Sequence, residues 1–207
     1  MPVINRDTTQ GKEDWFKARL GKPTASNFSK LITSTGAASK SIGGYANLLA
    51  AELYAEKPLN DFGGNQWTDR GQELEEDARA KYELIKDADV EQVGFITNDG
   101  NTVLVSPDGL IGDDGLIEIK CLKAENHIEV ILYYKKHKKC PPKYIQQTQG
   151  AIYISRREFC DLVFYYPGLP LLVIRQYPDS TIINGLTSQI HKVIELRDSV
   201  LKILQEM

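Results

Sequence analysis

The sequence has little of what marks membrane, secreted or zinc-binding proteins. No apolar run approaches the length needed to cross a bilayer, and the N-terminal segment lacks the apolar stretch of a secretory signal. The three cysteines are odd in number and far apart, and neither they nor the three histidines have the spacing of zinc ligands. These absences predict reduced thiols and a cytoplasmic protein that has no membrane partner.

The sequence also lacks an excess of positive charge, since 25 Lys and Arg face 28 Asp and Glu, for a net charge of −3. This balance argues against a simple electrostatic DNA binder. It does not exclude a nuclease, because a site that holds divalent cations needs carboxylates. Residues 135–139 form a basic run, and Lys143 follows it closely. We interpret this run as a solvated loop or helix end.

Hydrophobic periodicity predicts an α/β fold in which a central mixed β-sheet is flanked by helices. A length of 207 residues suits a single domain over residues 1–207. The predicted helices cover residues 13–20, 41–54, 67–85, 124–134, 143–155 and 181–205. The predicted strands cover residues 90–97, 102–106, 116–120, 161–166 and 171–177, with a hairpin turn at 98–101.

Charged residues interrupt an apolar strand at Glu118 and Lys120. Residues two apart in a strand point to the same side, so these two side chains project together, and buried charges need a partner or a metal. Asp108 lies opposite Glu118 on the same face if the hairpin closes through a three-residue loop at 112–114. A two-residue loop would put the two acids on opposite faces.

Two carboxylates and a lysine on one face form a recognisable hydrolytic site. The carboxylates can hold Mg²⁺, which prefers hard oxygen ligands. The lysine can orient or activate the attacking water and offset negative charge that develops on a phosphate. The alternative is a surface hairpin with an ordinary Glu118–Lys120 ion pair, because short acid-rich patterns also occur by chance.

Four short motifs follow one another between residues 15 and about 153. They are Trp15 and Arg19 with Thr24-Ala25-Ser26; Gly71-Gln72-Glu73-Leu74-Glu75-Glu76-Asp77-Ala78-Arg79; Ser106-Pro107-Asp108-Gly109-Leu110 with Glu118-Ile119-Lys120; and Tyr144-Ile145-Gln146-Gln147-Thr148-Gln149. The third motif resembles the core of the PD-(D/E)xK nucleases. The four in order resemble the phage lambda-type (alkaline) exonucleases of the YqaJ-like viral recombinase group.

The resemblance implies a restriction-endonuclease-like core and a set of metal ligands. Asp108, Glu118 and the backbone carbonyl of Ile119 would bind Mg²⁺, for which Mn²⁺ is a substitute. Glu75 would lie beside the metals or assist a second ion, which gives two ions per active site.

The resemblance also implies roles for other polar residues. Lys120 would serve the nucleophilic water, and Gln147 would position that water or the scissile phosphate. Arg19, Ser26 and Ser106 would form an anion pocket for the terminal 5′-phosphate. A guanidinium and hydroxyls suit this task, since they donate to the anion without repelling it.

The same residues have simpler interpretations. Glu75 lies among other acids and could be one more exposed helix residue. Arg19 could be a surface arginine, Ser26 a helix cap and Gln147 a helix-surface glutamine. For Trp15 we expect core packing.

Two aromatic residues, Phe62 and Trp67, lie near the region with which the resembling family pries apart the duplex end. They could act as an apolar wedge between bases. Core packing is the expected alternative for both.

The resemblance further implies an activity and partners. The chain would be a Mg²⁺-dependent exonuclease that degrades duplex DNA from the 5′ end to 5′-mononucleotides and leaves a 3′ single strand. It would form a ring-shaped homotrimer around DNA and would pass the overhang to a phage-type single-strand annealing protein. The rival hypotheses are an endonuclease or single-strand nuclease with the same core, and a non-catalytic scaffold that binds DNA ends.

Overall fold

A computed structural model describes residues 1–59 and 66–207 of the chain, and for residues 66–73 it describes the helical backbone alone. The six α-helices in this part are α1 (Glu13–Arg19), α2 (Ile42–Ala55), α3 (Gln66–Lys86), α4 (Ala124–His137), α5 (Pro142–Ser155) and α6 (Ser180–Gln205), and a 3-10 helix covers Ala25–Lys30. The predicted helices therefore form close to their expected bounds. No described helix is both long and apolar enough to cross a membrane.

Eight strands lie between and beside these helices in the part of the chain that the structure describes. They are β1 (Val3–Asn5), β2 (Val90–Glu91), β3 (Phe95–Thr97), β4 (Leu104–Val105), β5 (Gly109–Ile111), β6 (Gly115–Cys121), β7 (Phe159–Tyr165) and β8 (Leu172–Gln176). The larger sheet has the order β2-β5-β6-β7-β8. Its β6–β7 pair is parallel and its other pairs are antiparallel, which confirms the predicted mixed sheet.

The predicted strand over residues 90–97 was wrong as a single element. It divides at Gly94, and its second half joins a separate antiparallel sheet with the order β1-β3-β4. Gly94 packs against the backbone carbonyl of Thr8 so closely that a Cβ would not fit, and its N–H donates to the carbonyl of Asn5. No strand was predicted for the N-terminal segment, but β1 pairs with β3 there, and residues 95–97 therefore belong to the smaller sheet.

The hairpin between β5 and β6 has the register on which the predicted site depends. Leu110 pairs with Leu116 and Ile111 pairs with Gly115, which leaves a three-residue loop at 112–114. Gly112 turns the chain with a φ of 53°, a conformation that favours glycine. The three-residue loop is therefore confirmed.

Alternate residues of β6 face different helices. Ile117 and Ile119 pack against Ala78 and Tyr82 of α3. On the other face, Leu116 belongs to the large core cluster that includes residues of α2, α5 and α6. The sheet thus holds α3 and α5 on opposite sides of β6, and this arrangement positions the candidate site.

A polar cluster around a buried carboxylate joins α3 to the sheet. Asp161 of β7 is fully buried and accepts two hydrogen bonds from the guanidinium of Arg175, both at 2.8 Å. The Tyr82 hydroxyl donates to the same carboxylate at 2.6 Å. We call these three residues the Asp161 cluster. It was not predicted, since it depends on contacts between residues far apart in the sequence.

Candidate active site

Glu118 lies at the centre of a network of short hydrogen bonds on the α5 face of β6. Its side chain is buried, and its Oε1 accepts from the Lys120 ammonium at 2.6 Å. The same oxygen accepts from the Gln147 side-chain amide of α5, also at 2.6 Å. The predicted Glu118–Lys120 pair therefore exists, but its carboxylate is buried and its ammonium is partly buried, so it is not a surface ion pair.

Asp108 lies directly before β5, at the level of Glu118. Ladder pairing between β5 and β6 begins at Gly109, and the Asp108 carboxylate accepts from the backbone N–H of Ile119 at 2.6 Å. In a strand, the N–H and C=O of one residue point to the same side. The carbonyl of Ile119 therefore points to the strand edge at which Asp108 lies.

Glu75 approaches the same point from α3. It lies one turn before Ala78 and two turns before Tyr82, both of which are buried against the sheet, so it belongs to the inward side of the helix. Glu75 is partly buried, whereas its neighbours Glu76 and Asp77 are exposed. The interpretation of Glu75 as one more exposed helix acid therefore does not fit.

The charges in this group do not balance. Burial raises the pKa of Asp108 well above its ordinary value, and the negative charges of Glu118 and Glu75 raise it further. Burial and Glu118 likewise raise the pKa of Glu75. Burial alone would lower the pKa of Lys120, but the charges of Glu118 and Asp108 reverse this and raise it. We call these four residues the Asp108 cluster, in which one ammonium faces three carboxyl groups. Arg79 adds a positive charge near Glu75, so the acids still outnumber the cations.

The donor set fits a divalent cation. Asp108, Glu118 and the carbonyl of Ile119 offer the hard oxygen atoms that Mg²⁺ prefers, and a cation would offset the surplus of carboxylates. Among the described residues, no three acidic, histidine or cysteine side chains already surround one point as a bound ion requires. Glu118 is instead held by Lys120 and Gln147.

A second polar group forms around Arg19 of α1. Its guanidinium donates to the Ser106 hydroxyl at 3.3 Å and to the hydroxyls of Thr24 and Ser26 at 3.4 Å. The structure thus brings together Arg19, Ser26 and Ser106, as expected, and adds Thr24. Because Ser106 is two residues before Asp108, this group lies next to the carboxylates.

Arg19 keeps its charge and has long, weak hydrogen bonds. Burial lowers its pKa to about 10, which leaves it protonated at neutral pH. It makes no ion pair with any residue that the structure describes. A partly buried guanidinium that donates only to hydroxyls is suited to an anion.

Trp15 belongs to this group, so the expectation that it packs in the core was wrong. Its ring lies 4.1 Å beneath the Arg19 guanidinium, and its indole N–H donates to the Ser106 hydroxyl at 3.0 Å. The side chain is only partly buried. The spacing of four residues between Trp15 and Arg19, one helical turn, was the sequence signal for this contact.

An open cleft of about 500 Å³ begins at Asp108 and Glu75. Its other lining residues are Arg6, Thr8, Thr9, Gln10, Lys12, Glu76, Arg79, Gln92, Val93 and Gly94. Arg79 donates to the backbone carbonyl of Asp108 at 3.3 Å and thereby ties α3 to the start of β5. Sequence reasoning assigned Arg79 no role, although it follows Glu75 by one helical turn.

The two aromatic residues considered as a wedge, Phe62 and Trp67, lie outside the residues whose side chains the structure describes.

Comparison with known proteins identifies the family. Residues 14–158, more than half of the chain, match the YqaJ-like viral recombinase domain. The chain belongs to this family. A search of curated proteins finds no match.

Solved structures agree with this assignment. The alkaline exonuclease LHK-Exo from Laribacter hongkongensis is similar at a TM-score of 0.81 and 32% identity, over 94% of this chain and 97% of that one. The same enzyme has been solved in complex with dAMP, with equal similarity to this chain. A phage-related exonuclease from Haemophilus somnus 129PT has the same fold, with a TM-score of 0.68 and 16% identity over 88% of this chain and 96% of that one. The resemblance to the lambda-type exonucleases is confirmed.

Proposed function

We propose that this protein is a Mg²⁺-dependent 5′-to-3′ exonuclease that degrades one strand of linear duplex DNA and leaves a 3′ single strand. The observation that carries the proposal is that Asp108, at the edge of β6, lies beside Glu118 and Lys120 on its α5 face, with Glu75 and Gln147 next to them. The similarity to an alkaline exonuclease over most of both chains supports the same activity.

Asp108, Glu118 and the backbone carbonyl of Ile119 are the proposed metal ligands, and Glu75 would assist a second ion. The surplus of carboxylates over cations in this group supports the assignment. When bound, a divalent ion polarises the phosphate and promotes the ionisation of water. Mn²⁺ should substitute for Mg²⁺, because both accept oxygen ligands.

Lys120 and Gln147 would act on the water and on the scissile phosphate. Lys120 is held by the surrounding acids in its protonated form, which suits it to orient water and to offset negative charge on the phosphate. The Gln147 amide reaches Glu118 from α5. It would keep the carboxylate in place and donate to the attacking water or to a phosphate oxygen.

The group around Arg19 would bind the terminal 5′-phosphate. Its guanidinium and the hydroxyls of Ser26 and Ser106 are close enough to donate to a single phosphate. Because Ser106 and Asp108 are near neighbours in the sequence, a bound 5′-phosphate would place the next phosphodiester near the carboxylates.

A homotrimeric ring around DNA, and a phage-type single-strand annealing protein as the recipient of the overhang, are further parts of the proposal. A ring would explain how a subunit with a net charge of −3 retains DNA, since enclosure requires fewer phosphate contacts than an open groove. Sedimentation of the active enzyme tests this. Full activity from a monomer that releases DNA at ordinary enzyme concentrations would contradict the ring.

The decisive experiment compares linear, covalently closed circular and end-labelled duplexes, with and without Mg²⁺. We expect Mg²⁺-dependent release of 5′-mononucleotides from linear DNA and no cleavage of closed circles. Cleavage of circles would favour an endonuclease, and no digestion with either Mg²⁺ or Mn²⁺ would favour a scaffold. Equal rates on 5′-phosphorylated and 5′-hydroxyl duplexes would contradict the role of the Arg19 group.

A further inference from the structure

Five exposed lysines gather where α4 meets α5. They are Lys135, Lys136, Lys138, Lys139 and Lys143, and we call them the basic corner. The chain as a whole carries a net charge of −3, so this local concentration of positive charge is opposite in sign to the net charge. The corner took no part in the site described above.

The charges of the basic corner are not used within the chain. None of the five lysines makes an ion pair with another described residue. Two of them lie over aromatic rings, with Lys138 Nζ 5.6 Å from the ring centre of Tyr134 and Lys143 Nζ 4.8 Å from that of Tyr144. Their ammonium groups therefore remain available to an external anion.

Helix stability explains only part of the basic corner. Lys135 and Lys136 lie in the last turn of α4, where a cation interacts favourably with the helix dipole. Lys143 lies in the first turn of α5, where the dipole disfavours a cation. That turn holds no acidic residue, and Pro141 gives it no side-chain cap. The arrangement is unfavourable for the chain alone and favourable when an anion binds there.

The same helix joins the basic corner to the active site. Tyr144 follows Lys143 and lies close enough to Lys120 to interact with its charge. Gln147, one turn further along, donates to Glu118. The five steps from Pro142 to Gln147 advance the helix by about 7.5 Å, so the corner and the acids lie at neighbouring positions along α5.

We infer that the basic corner binds the phosphodiester backbone of the duplex whose end lies in the active site. The inference rests on the proposed nuclease function and adds to it the surface along which the DNA extends. It also accounts for how a mildly acidic chain can hold a polyanion. Each phosphate that a lysine neutralises releases counterions from the DNA, which makes binding depend on salt.

The test compares the triple variant K138Q/K139Q/K143Q with the matched triple variant K40Q/K86Q/K192Q. The control lysines are also exposed but lie on other elements. Binding of a 5′-phosphorylated linear duplex is measured by fluorescence anisotropy, with Ca²⁺ in place of Mg²⁺, over a series of salt concentrations. The slope of log K against log salt should fall in magnitude by roughly 0.9 for each phosphate that is no longer neutralised. We expect the corner variant to neutralise about two fewer phosphates than the wild type and the control to change little.

Single-turnover release of the first nucleotide at saturating enzyme separates this inference from the proposed function. The corner variant should retain the wild-type rate, because its lysines lie outside the catalytic group. Equal salt slopes for the two triple variants, with both folded by circular dichroism, would overturn the inference and leave the nuclease proposal standing. A wild type that cannot digest DNA would instead contradict the proposed function itself.

Discussion

The two faces of the β6–β7 pair bury acidic groups in different ways. On the α3 face, Asp161 accepts from the Arg175 guanidinium and the Tyr82 hydroxyl, all within 2.8 Å, so one carboxylate has one cation and a neutral donor. At the β5 edge of the α5 face, the Asp108 cluster places three carboxyl groups, one of them reaching in from α3, around the ammonium of Lys120, with the Arg79 guanidinium near Glu75. One cluster is complete within the chain, and the other is short of positive charge.

The difference distinguishes a structural cluster from a functional one. A buried acid with matched donors holds elements together, whereas acids that raise one another's pKa make the chain less stable unless a cation joins them. Burial alone does not separate the two clusters, since Glu118 and Asp161 are both buried. Charge balance does, and the following substitutions test this distinction.

The largest effect is expected from Asp108→Asn. The amide oxygen can still accept from the Ile119 N–H, but the substitution removes a charge that a metal requires. Digestion of linear duplex should fall on the order of 10³-fold or more. The free energy of unfolding, measured in urea with EDTA, should stay the same or rise, because repulsion from Glu75 and Glu118 is relieved. Normal digestion by this variant would defeat the site assignment.

The next largest effect is expected from Asp161→Asn, and on stability. Asp161 is buried but the Arg175 side chain is 41% exposed, so the main loss is that of two charge-assisted hydrogen bonds, and the free energy of unfolding should fall by about 3 kcal/mol. At a temperature at which the variant is folded, most of the activity should remain. A loss of activity as large as that of Asp108→Asn would contradict the distinction between a structural Asp161 cluster and a functional Asp108 cluster.

Mg²⁺ itself should stabilise the folded protein. An ion that binds only the folded state raises the free energy of unfolding by roughly 2.7 kcal/mol at a hundredfold excess over its Kd. Thermal unfolding with a series of Mg²⁺ concentrations measures this effect. Asp108→Asn should abolish most of the stabilisation and Asp161→Asn should leave it in place. Equal stabilisation of both variants would show that the ion binds elsewhere.

The smallest effect is expected from Tyr82→Phe, which removes one hydroxyl and leaves the Asp161–Arg175 pair intact. The free energy of unfolding should fall by about 1 kcal/mol, the usual contribution of one hydrogen bond. Chemical denaturation of this variant beside Asp161→Asn measures how much of the cluster depends on its charge. Equal losses in the two variants would mean that the ion pair adds nothing beyond the hydroxyl bond.

Local patterns were enough to predict much of the molecule. The periodicity of the helices and the alternation of Ile117, Glu118, Ile119 and Lys120 depend on neighbouring residues, and the structure places each of these elements as expected. The position of Asp108 followed from the length of one loop. The candidate site could be predicted from the sequence because its central residues lie within one hairpin.

Contacts between distant segments could not be predicted from local patterns, and where they were expected, as for Arg19 and Ser106, the family resemblance supplied them. The Asp161 cluster joins residues of α3, β7 and β8, and no local pattern links them. The division of the strand at Gly94 depends on Thr8 and Asn5, more than 80 residues earlier in the chain. Core packing was expected for Trp15, but its ring lies beneath the Arg19 guanidinium instead.

The loop at 112–114 joins two strands whose alignment the candidate site requires. Substitutions at Asp113 and Asp114 should be tolerated, since both are exposed and the turn depends mainly on the positive φ of Gly112. The pairing of Ile111 with Gly115 is what places Asp108 opposite Glu118, so one residue inserted within β5 would shift Asp108 by one position and turn it away from Glu118. Engineered versions of this protein can therefore vary the turn at positions 113 and 114, but they can change the length of β5 only with a compensating bulge nearby.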